Sequence, residues 1–282
     1  MTGGTLVDRG QGFPLVLIPG IQGRWEWMEP AVDALAARHR VVTFSLADEP
    51  SSRWGWDATR GFENYVAQVE AALDRCGVDR AVPIGVSYGG LIAAEFAARR
   101  AERTAGVAFV SALPVGWVPD ARARKYLAAP WLRSPAFVLG AQGRLYPEMR
   151  AALPSATASA AFVARYAWRA ATAPASPGRM ARRMRWALSH GFAGMDAVAA
   201  PTLVLTGEDA LDRVVPTHET RRYLAVPGAR LATLPRTGHI GLVTRPGAFA
   251  RVIEEFVEGD VQATETPRQG GCASHWRGQI DE

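Results

Sequence analysis

The sequence predicts an α/β protein whose mostly parallel β-sheet is covered by helices on both faces. Two observations lead to this fold class. Short apolar runs of strand length recur along the chain, at residues 15–19, 41–46, 81–85, 107–111, 202–206 and 230–234. Helical patterns lie between most of them, at residues 28–37, 62–76, 89–100, 218–224 and 247–257. Strands that alternate with helices are typical of a parallel sheet, because each parallel connection must cross over the sheet.

In the first half of the chain, the runs at residues 15–19 and 81–85 are the clearest strands. The first ends at Pro19 and is followed by Gly20, and both residues favour a turn. The second runs into Gly85, and residues 91–98 after it have high helical propensity. The sequence therefore predicts a strand-to-helix corner at residues 85–90.

One long interval, residues 113–195, contains no convincing strand. Ser176-Pro177 is a helix start, and Met180, Met184 and Leu188 follow at helical spacing. Ser155 could begin another helix that runs to residue 171. A helical insertion of this length between two core strands predicts a cap, and long insertions of this kind usually carry function.

These patterns divide the chain into four parts. Residues 1–112 and 196–258 form the two halves of the core, and residues 113–195 form the cap. Residues 259–282 are polar and rich in Gly, Gln and Thr, which predicts a disordered tail.

The cap carries twelve basic residues against two acids, Asp120 and Glu148, so its net charge is about +10 and the remainder is about −5.

Several classes of protein are excluded by the same sequence. No apolar run approaches the length that spans a bilayer, and no secretory signal begins the chain, so we expect a cytoplasmic protein. Cys76 and Cys272 are too few for a disulfide framework or a cysteine metal site, and we expect free thiols. We expect no cofactor or metal, and no nucleic-acid partner because the basic residues form no recognised binding motif.

The predicted corner carries the strongest functional signal, the stretch Gly85-Val86-Ser87-Tyr88-Gly89-Gly90. A serine between glycines on so tight a turn is held at strained backbone angles with its hydroxyl exposed. Gly85 and Gly89 lack the bulk that would keep strand and helix apart. Ser87 is therefore the candidate nucleophile, although the same motif also fits an ordinary turn before a helix, so its companions decide.

A serine nucleophile requires a base, an acid that orients the base, and donors for the oxyanion. His239 is the best base, because it lies in a glycine-flanked loop after the last predicted strand, and a solvated loop histidine is the alternative. For the acid, Asp212 is preferred because an apolar stretch with a proline follows it and would shield its carboxylate from water. Asp209 remains an alternative, and Glu208 is a weaker third.

Backbone amides can supply the oxyanion donors. The amide of Tyr88 lies at the predicted start of a helix, where unpaired donors favour anions. A second donor is expected from the loop that follows residues 15–19, with the amide of Ile21 as the best candidate, and an ordinary turn is the alternative for that loop.

At these residues the chain resembles the α/β-hydrolase superfamily, over about residues 6–112 and 196–257. The resemblance rests on the stretches 15–23, 85–90, 212–216 and 238–239. It implies an α/β-hydrolase fold with an eight-stranded, mostly parallel sheet and a helical cap inserted after the sixth strand. It also implies a Ser-Asp-His triad, here Ser87, Asp212 and His239, with the amides of Ile21 and Tyr88 as the oxyanion hole.

The chain departs from the family pattern in three places. Pro19 stands where many members have histidine, and residues 45–52 replace the usual Asp-x-x-Gly-x-Gly-x-Ser loop. Two additional residues separate Gly207 from Asp212, which is the main reason to keep Asp209 as an alternative.

The predicted function is hydrolysis of a carboxylic ester, or a related acyl bond, of a small and partly apolar substrate. A serine nucleophile argues against haloalkane dehalogenase and epoxide hydrolase chemistry, which use aspartate. The alternatives on the same triad are C–C bond hydrolysis, thioester cleavage, acyl transfer and cofactor-free perhydrolysis, and a ligand receptor is a further one. The basic cap could attract an anionic substrate, although a solvated charged face is the commoner explanation.

Aromatic residues of the cap and of the loop after residue 23 could line the substrate site. Four of them are the predicted substrate-binding residues: Trp25, Trp27, Trp117 and Trp131. Four more aromatic residues of the cap are candidates: Phe137, Tyr146, Trp168 and Trp186. Core packing is the alternative role for most of them. The oligomeric state does not follow from the sequence.

Overall fold

The computed structural model describes residues 6–265, without the side chains of residues 137–139, 141, 142 and 265. Within this range, one sheet has the strand order β1-β3-β2-β4-β5-β6-β7. The strands are β1 (Leu6–Arg9), β2 (Pro14–Ile18), β3 (Arg40–Phe44), β4 (Val82–Val86), β5 (Val107–Val110), β6 (Thr202–Thr206) and β7 (Arg230–Thr233). Strand β1 is antiparallel to β3, and all other neighbouring pairs are parallel.

The expected count of eight strands is wrong for residues 6–265, which contain seven. The six runs predicted from the sequence all form strands, and β1 is the addition. It escaped prediction because it is four residues long and none of its residues is fully buried. The long insertion lies between β5 and β6, so it follows the fifth strand of this sheet and not the sixth.

Helices cover both faces of the sheet. Their bounds are α1 (Glu29–Ala36), α2 (Glu63–Arg75), α3 (Gly89–Arg99), α4 (Ala121–Ala128), α5 (Pro130–Ala152), α6 (Ala156–Thr172), α7 (Pro177–Ser189), α8 (Thr217–Thr220), α9 (Gly241–Thr244), α10 (Pro246–Phe256) and α11 (Gln262–Glu265). Helices α2 and α3 pack on one face, and α1 and α10 pack on the other.

Side chains of β2 point alternately to the two faces of the sheet, and helices bury both sets. Val16 and Ile18 join the core beneath α2 and α3, whereas Leu15 and Leu17 join the core beneath α1 and α10. All four side chains are fully buried. Each contributes about 1.5–3 kcal/mol by leaving water, so the central strands are anchored from two sides.

Helices α4 to α7, which we call the inserted helices, lie between β5 and β6. The two helix starts predicted here are confirmed, because the hydroxyls of Ser155 and Ser176 accept hydrogen bonds from the amides of Ala158 and Arg179. Helix α5 was not predicted. It contains two internal prolines, which usually indicate a break in a helix.

The chain remains helical beyond residue 258, where we expected the polar tail to begin. Residues 257–261 form one turn of π-helix that leads directly into α11. Val261 is fully buried there and packs beside Gly106 at the foot of β5. Residues 266–282, the remainder of the predicted tail, lie outside the described residues, as does Cys272.

Cys76 is a free thiol at the end of α2, as expected. No helix in residues 6–265 has the length and hydropathy that a membrane span requires.

Candidate active site

Ser87 follows β4, the central strand of the sheet, and has a left-handed backbone with φ of 53°. This conformation is costly for a residue with a side chain and persists only where the surroundings enforce it. Here the Ser87 amide donates to the carbonyl of Val110, and the Ser87 carbonyl accepts from the amide of Leu113, both at 3.0 Å. Strand β5 and the segment after it therefore hold the corner in place.

The two glycines around Ser87 have the steric role expected from the sequence. A Cβ atom on Gly85 would lie 2.5 Å from the Gly89 carbonyl oxygen and 2.6 Å from the Cα of Gly90. A Cβ atom on Gly89 would lie 2.5 Å from the Ile18 carbonyl oxygen. Because these neighbours are backbone atoms, they cannot move aside, so α3 can start at this point only if both positions are glycine.

Asp212 and His239 approach each other beyond the ends of β6 and β7. Oδ1 of Asp212 lies 3.4 Å from Nδ1 of His239, which is an ion-pair distance and longer than a tight hydrogen bond. Oδ1 also accepts from the amides of Val214 and Val215, at 3.1 and 3.0 Å. The carboxylate is buried, and the segment after it shields it from water as the sequence predicted.

The two competing acids lie elsewhere. Asp209 is 66% exposed in its side chain, pairs with Arg221 at 2.8 Å and accepts from the hydroxyl of Thr217. Oε1 of Glu208 accepts from the backbone amide of Arg236 at 2.7 Å. The additional residues after Gly207 thus form a separate turn, and Asp212 is the acid that the fold brings to His239.

The other described histidines are distant from this site. His190 contacts Glu95 at 2.9 Å, and Arg99 supplies a permanent positive charge to the same carboxylate. His218 is largely exposed. His39 is buried under α10, where desolvation lowers its pKa. His275 lies outside the described residues.

The pKa of His239 results from opposing effects. Burial disfavours the imidazolium and lowers the pKa, whereas the nearby carboxylate of Asp212 and the charge of Glu148 raise it. The net direction is upward from the usual value of 6.5. The environment therefore favours an imidazole that gains a proton readily, which a general base needs.

Of the predicted oxyanion donors, Tyr88 directly follows Ser87 at the corner, and Ile21 lies in the loop after β2. Ile21 lies in a tight turn closed by a bond from the Gly23 amide to the Gly20 carbonyl at 2.9 Å. Tyr88 precedes the first residue of α3, where backbone amides are not used within the helix. The loop that contains Ile21 lies beside Ser87, since a Cβ atom on Gly20 would lie 3.4 Å from the Cβ of Ser87.

Arg183 of α7 contacts both of these residues. Its Nη1 donates to the Ile21 carbonyl at 2.7 Å, and its own carbonyl accepts from the Tyr88 hydroxyl at 3.0 Å. The guanidinium is fully buried and pairs with Asp48 at 2.7 Å and Glu49 at 2.5 Å. Burial opposes its charge, but the two carboxylates outweigh this and raise its pKa. The unusual loop at residues 45–52 thus supplies the partners of an arginine that supports both predicted oxyanion residues.

Ser87 and His239 line one cavity of about 830 Å³ between the sheet and the inserted helices. The core contributes Met28, Val86, Leu242 and Val243 to its wall, and α5 and α6 contribute Leu145, Met149, Phe162 and Tyr166. Such a volume accommodates a drug-sized molecule. The inserted helices therefore form an apolar wall of the cavity that Ser87 also lines.

The comparison with known families agrees with this arrangement. Residues 15–252 match the model of the alpha/beta hydrolase family. The chain belongs to this family.

The chain is similar to proteins whose names indicate different substrates. It is 25% identical over 272 residues to a 2-hydroxy-6-oxo-2,4-heptadienoate hydrolase of Pseudomonas putida, covering 90% of this chain and 92% of the relative. It is 26% identical over 272 residues to a poly(3-hydroxyalkanoate) depolymerase of Ectopseudomonas oleovorans, covering 92% and 90%. A solved hydrolase of Pseudomonas aeruginosa is 22% identical, with a TM-score of 0.71 and coverage of 89% and 93%.

One of the four predicted substrate-binding tryptophans, Trp27, lines the cavity of this hydrolase. Its indole donates to the Ala173 carbonyl at 3.0 Å, so the inserted helices fix it. Trp25 and Trp117 pack in or against the core, and Trp131 is 68% exposed beside Gly178. No pattern in the sequence distinguishes the tryptophans of the core from those of the cavity.

The remaining aromatic candidates divide in the same way. Tyr146 lines the cavity, Trp168 is exposed, and Trp186 packs against Trp56. The side chain of Phe137 lies outside the described part of the chain. Phe162 and Tyr166 were missed, although their spacing of four residues on α6 places both on one helical face.

Many arginines of the inserted helices are paired with carboxylates of the core. Arg169 pairs with Glu29, Arg179 with Glu49, and Arg182 with Asp48. Among the described residues that line the cavity, Arg24 and His239 are the basic ones, and Arg24 is held by both carboxylate oxygens of Glu26. These arginines, together with Arg183, therefore dock the inserted helices on the core, and the one arginine among the described lining residues is not a free cation.

Proposed function

We propose that this hydrolase cleaves carboxylic esters of neutral, apolar acyl groups through an acyl-enzyme on Ser87. One observation carries the proposal: the strained Ser87 and His239 line the same apolar cavity, and the buried Asp212 lies behind His239. This is the arrangement that nucleophile, base and orienting acid need.

In the first half of the reaction, His239 takes the proton of the Ser87 hydroxyl as its oxygen attacks the ester carbonyl carbon. The amides of Ile21 and Tyr88 donate to the oxygen that becomes negative. The tetrahedral intermediate then collapses, the bond to the alcohol oxygen breaks, and the imidazolium returns its proton to the leaving alcohol. Asp212 remains ionised and holds the imidazole in the tautomer that accepts from serine.

In the second half, water replaces the alcohol. The water oxygen attacks the acyl carbon while His239 takes a proton from the water. The amides of Ile21 and Tyr88 stabilise the second tetrahedral intermediate. Collapse breaks the bond to Ser87, and the proton on His239 passes to the serine oxygen. The products are the free acid and the unchanged enzyme, so protons and atoms balance without a cofactor.

The cavity supports an apolar and uncharged acyl group. Its wall is built mainly from aliphatic and aromatic side chains, and its arginine is already paired with Glu26. A carboxylate on the substrate would lose its hydration there without gaining a free cation, which is strongly unfavourable. The anionic substrate suggested by the basic composition is therefore the weaker proposal.

C–C bond hydrolysis is the second candidate, because a relative of similar length is named a 2-hydroxy-6-oxo-2,4-heptadienoate hydrolase. That compound carries a carboxylate, which this cavity favours less than a neutral ester. Assays of the enzyme with this dienoate and with a neutral ester distinguish the two candidates. Faster turnover of the dienoate would favour the second candidate.

Labelling with a fluorophosphonate tests the nucleophile. The wild-type enzyme should react at Ser87, and Ser87→Ala should not. Ser45→Ala is a suitable control, because Ser45 is also a buried serine just beyond the carboxyl end of a parallel strand, β3, which lies two strands from β4. Labelling that persists in Ser87→Ala would refute the assignment.

A series of p-nitrophenyl esters with increasing acyl length tests the substrate class. Each buried methylene contributes about 0.8 kcal/mol, so kcat/KM should rise by up to about fourfold per methylene until the cavity is full. A flat series would contradict an apolar acyl site. A stoichiometric burst without turnover would instead favour a ligand receptor.

A further inference from the structure

Glu148 of α5 is a buried carboxylate that the proposed reaction does not use. Its side chain is fully buried, although it is one of only two acids among the residues of the insertion. Both carboxylate oxygens accept from the backbone amide of Ile240, at 3.0 and 3.1 Å. Ile240 directly follows His239, so an inserted helix contacts the histidine loop at the residue next to the predicted base.

The contact between Glu148 and the Ile240 amide satisfies polar groups of two separate elements of the fold. A buried carboxylate is costly unless its oxygens find donors, and a loop amide that is buried without an acceptor is costly too. Glu148 and the Ile240 amide satisfy each other across two parts of the chain that are 92 residues apart. On the same helix, Leu145 and Met149 line the cavity, whereas Glu148 itself does not.

We propose that Glu148 is a positioning residue through which the inserted helices hold His239 in place and adjust its proton affinity. The proposal rests on the proposed function in that His239 is taken as the base. Glu148 touches neither substrate nor Ser87 and acts through the histidine loop. No activity beyond ester hydrolysis is implied.

The charges around Glu148 favour such coupling. Burial raises the pKa of its carboxyl to about 7, against the opposing effects of the Ile240 and Gly238 amides and of His239, while Asp212 raises it further. Glu148 in turn raises the pKa of His239. Two groups that interact in this way titrate as a pair, so their apparent pKa values belong to both.

Helices α4, α7 and α9, which pack on α5, carry no acidic residue. Helix α9 contains no charged residue. Helices α4 and α7 carry only basic residues as charged groups, namely Arg122, Arg124, Lys125, Arg179, Arg182, Arg183 and Arg185. Of these, Arg179, Arg182 and Arg183 pair with Asp48 or Glu49. His239 and Asp212 are thus the partners through which a charge on Glu148 acts.

The test compares Glu148→Gln and Glu148→Ala. Glutamine keeps an oxygen for the Ile240 amide but removes the charge, so the acidic limb of the kcat/KM profile should move to lower pH by about 0.5–1 unit. At a pH where His239 is neutral, kcat of Glu148→Gln should stay within about twofold of wild type. Alanine also removes the acceptor, so kcat should fall by about tenfold or more while KM changes little.

Glu95→Gln is the matched control, because Glu95 is an equally buried carboxylate that pairs with His190 and Arg99 away from the cavity. It should leave the pH profile unchanged. An unshifted limb in Glu148→Gln, or wild-type kcat in Glu148→Ala, would overturn the inference. If the alanine variant does not fold, the glutamine profile decides.

Titration of the His239 ring by NMR separates this inference from the proposed function. The pKa of the imidazole should fall in Glu148→Gln relative to wild type, and this measurement needs no substrate. If the pKa falls although no acyl substrate is turned over, the proposed function has failed and the contact with His239 holds. If turnover is normal and the pKa does not move, the inference fails alone.

Discussion

Oδ1 of Asp212 lies 3.4 Å from Nδ1 of His239 and is held at that position by two backbone amides of the turn that follows it. The amides fix the carboxylate, and the carboxylate in turn selects the orientation of the imidazole. Hydrogen bonds of catalytic groups are often long without substrate and shorten in the reacting complex. The distance therefore describes a resting pair that is already oriented.

Asp212→Asn should reduce kcat for a p-nitrophenyl ester by about 10³- to 10⁴-fold, because an amide favours the wrong tautomer of His239. KM should change little, since Asp212 does not line the cavity. Steady-state kinetics at fixed pH measure both values.

Asp209→Asn is the control for this change and should alter kcat by less than about twofold. Asp209 belongs to an exposed pair with Arg221, and exposed pairs contribute little. A larger effect of Asp209→Asn than of Asp212→Asn would reverse the assignment of the acid.

The pH dependence of kcat/KM should have an acidic limb with an apparent pKa above 6.5. Although burial alone would lower the pKa of His239, Asp212 and Glu148 raise it, and the net direction is upward. The neutral imidazole is the base, so activity is present above this pKa and is lost as the pH falls through it. Circular dichroism over the same range controls for unfolding, and a limb at or below 6.5 would contradict the structure.

Arg183→Met should lower the free energy of unfolding by about 3–5 kcal/mol, because it leaves the carboxylates of Asp48 and Glu49 buried without their main partner. Urea unfolding measures the change. Ester turnover should fall as well, since the Ile21 carbonyl loses its donor.

Arg182→Met is the matched control for the buried arginine. Arg182 also pairs with Asp48, but its side chain is 44% exposed, so its removal should cost less than about 1 kcal/mol. Equal losses in the two variants would show that burial of the Arg183 charge is not what stabilises this contact.

Gly238→Ala should reduce kcat/KM by about ten- to a hundredfold. Its Cβ atom would lie 2.4 Å from the Leu211 carbonyl oxygen and 2.8 Å from the Asp212 amide, so the loops of His239 and Asp212 would be forced apart. Small displacements of catalytic groups cause losses of this size. Gly247→Ala meets nothing within 4 Å and should be neutral, and a functional Gly238→Ala enzyme would count against the close approach of the loops.

The sequence predicted the central strands and the Ser87 corner because both depend on local signals. Buried parallel strands are continuous apolar runs, and a serine between glycines identifies a corner with little ambiguity. Strand β1 has neither signal, since it is an edge strand with half-exposed residues. Helix α5 was hidden by Pro135 and Pro147, whose local preference is overridden by the packing of the long helix.

The site was predictable to the extent that it follows from chain order. Asp212 and His239 follow consecutive strands, and the ends of parallel strands meet at one edge of the sheet. Glu148 and Arg183 depend on how the inserted helices fold back, which no local pattern encodes. The one available signal was Glu148 itself, an acid within a strongly basic segment.

The buried contacts of Arg183 also limit how this fold can be recombined. Its guanidinium comes from the inserted helices, its carboxylates come from the loop after β3, and its acceptor comes from the loop after β2. A chimera that receives these helices alone would carry an isolated cation into an apolar interior. Transplantation of the insertion into another family member would therefore have to transfer residues 45–52 together with it.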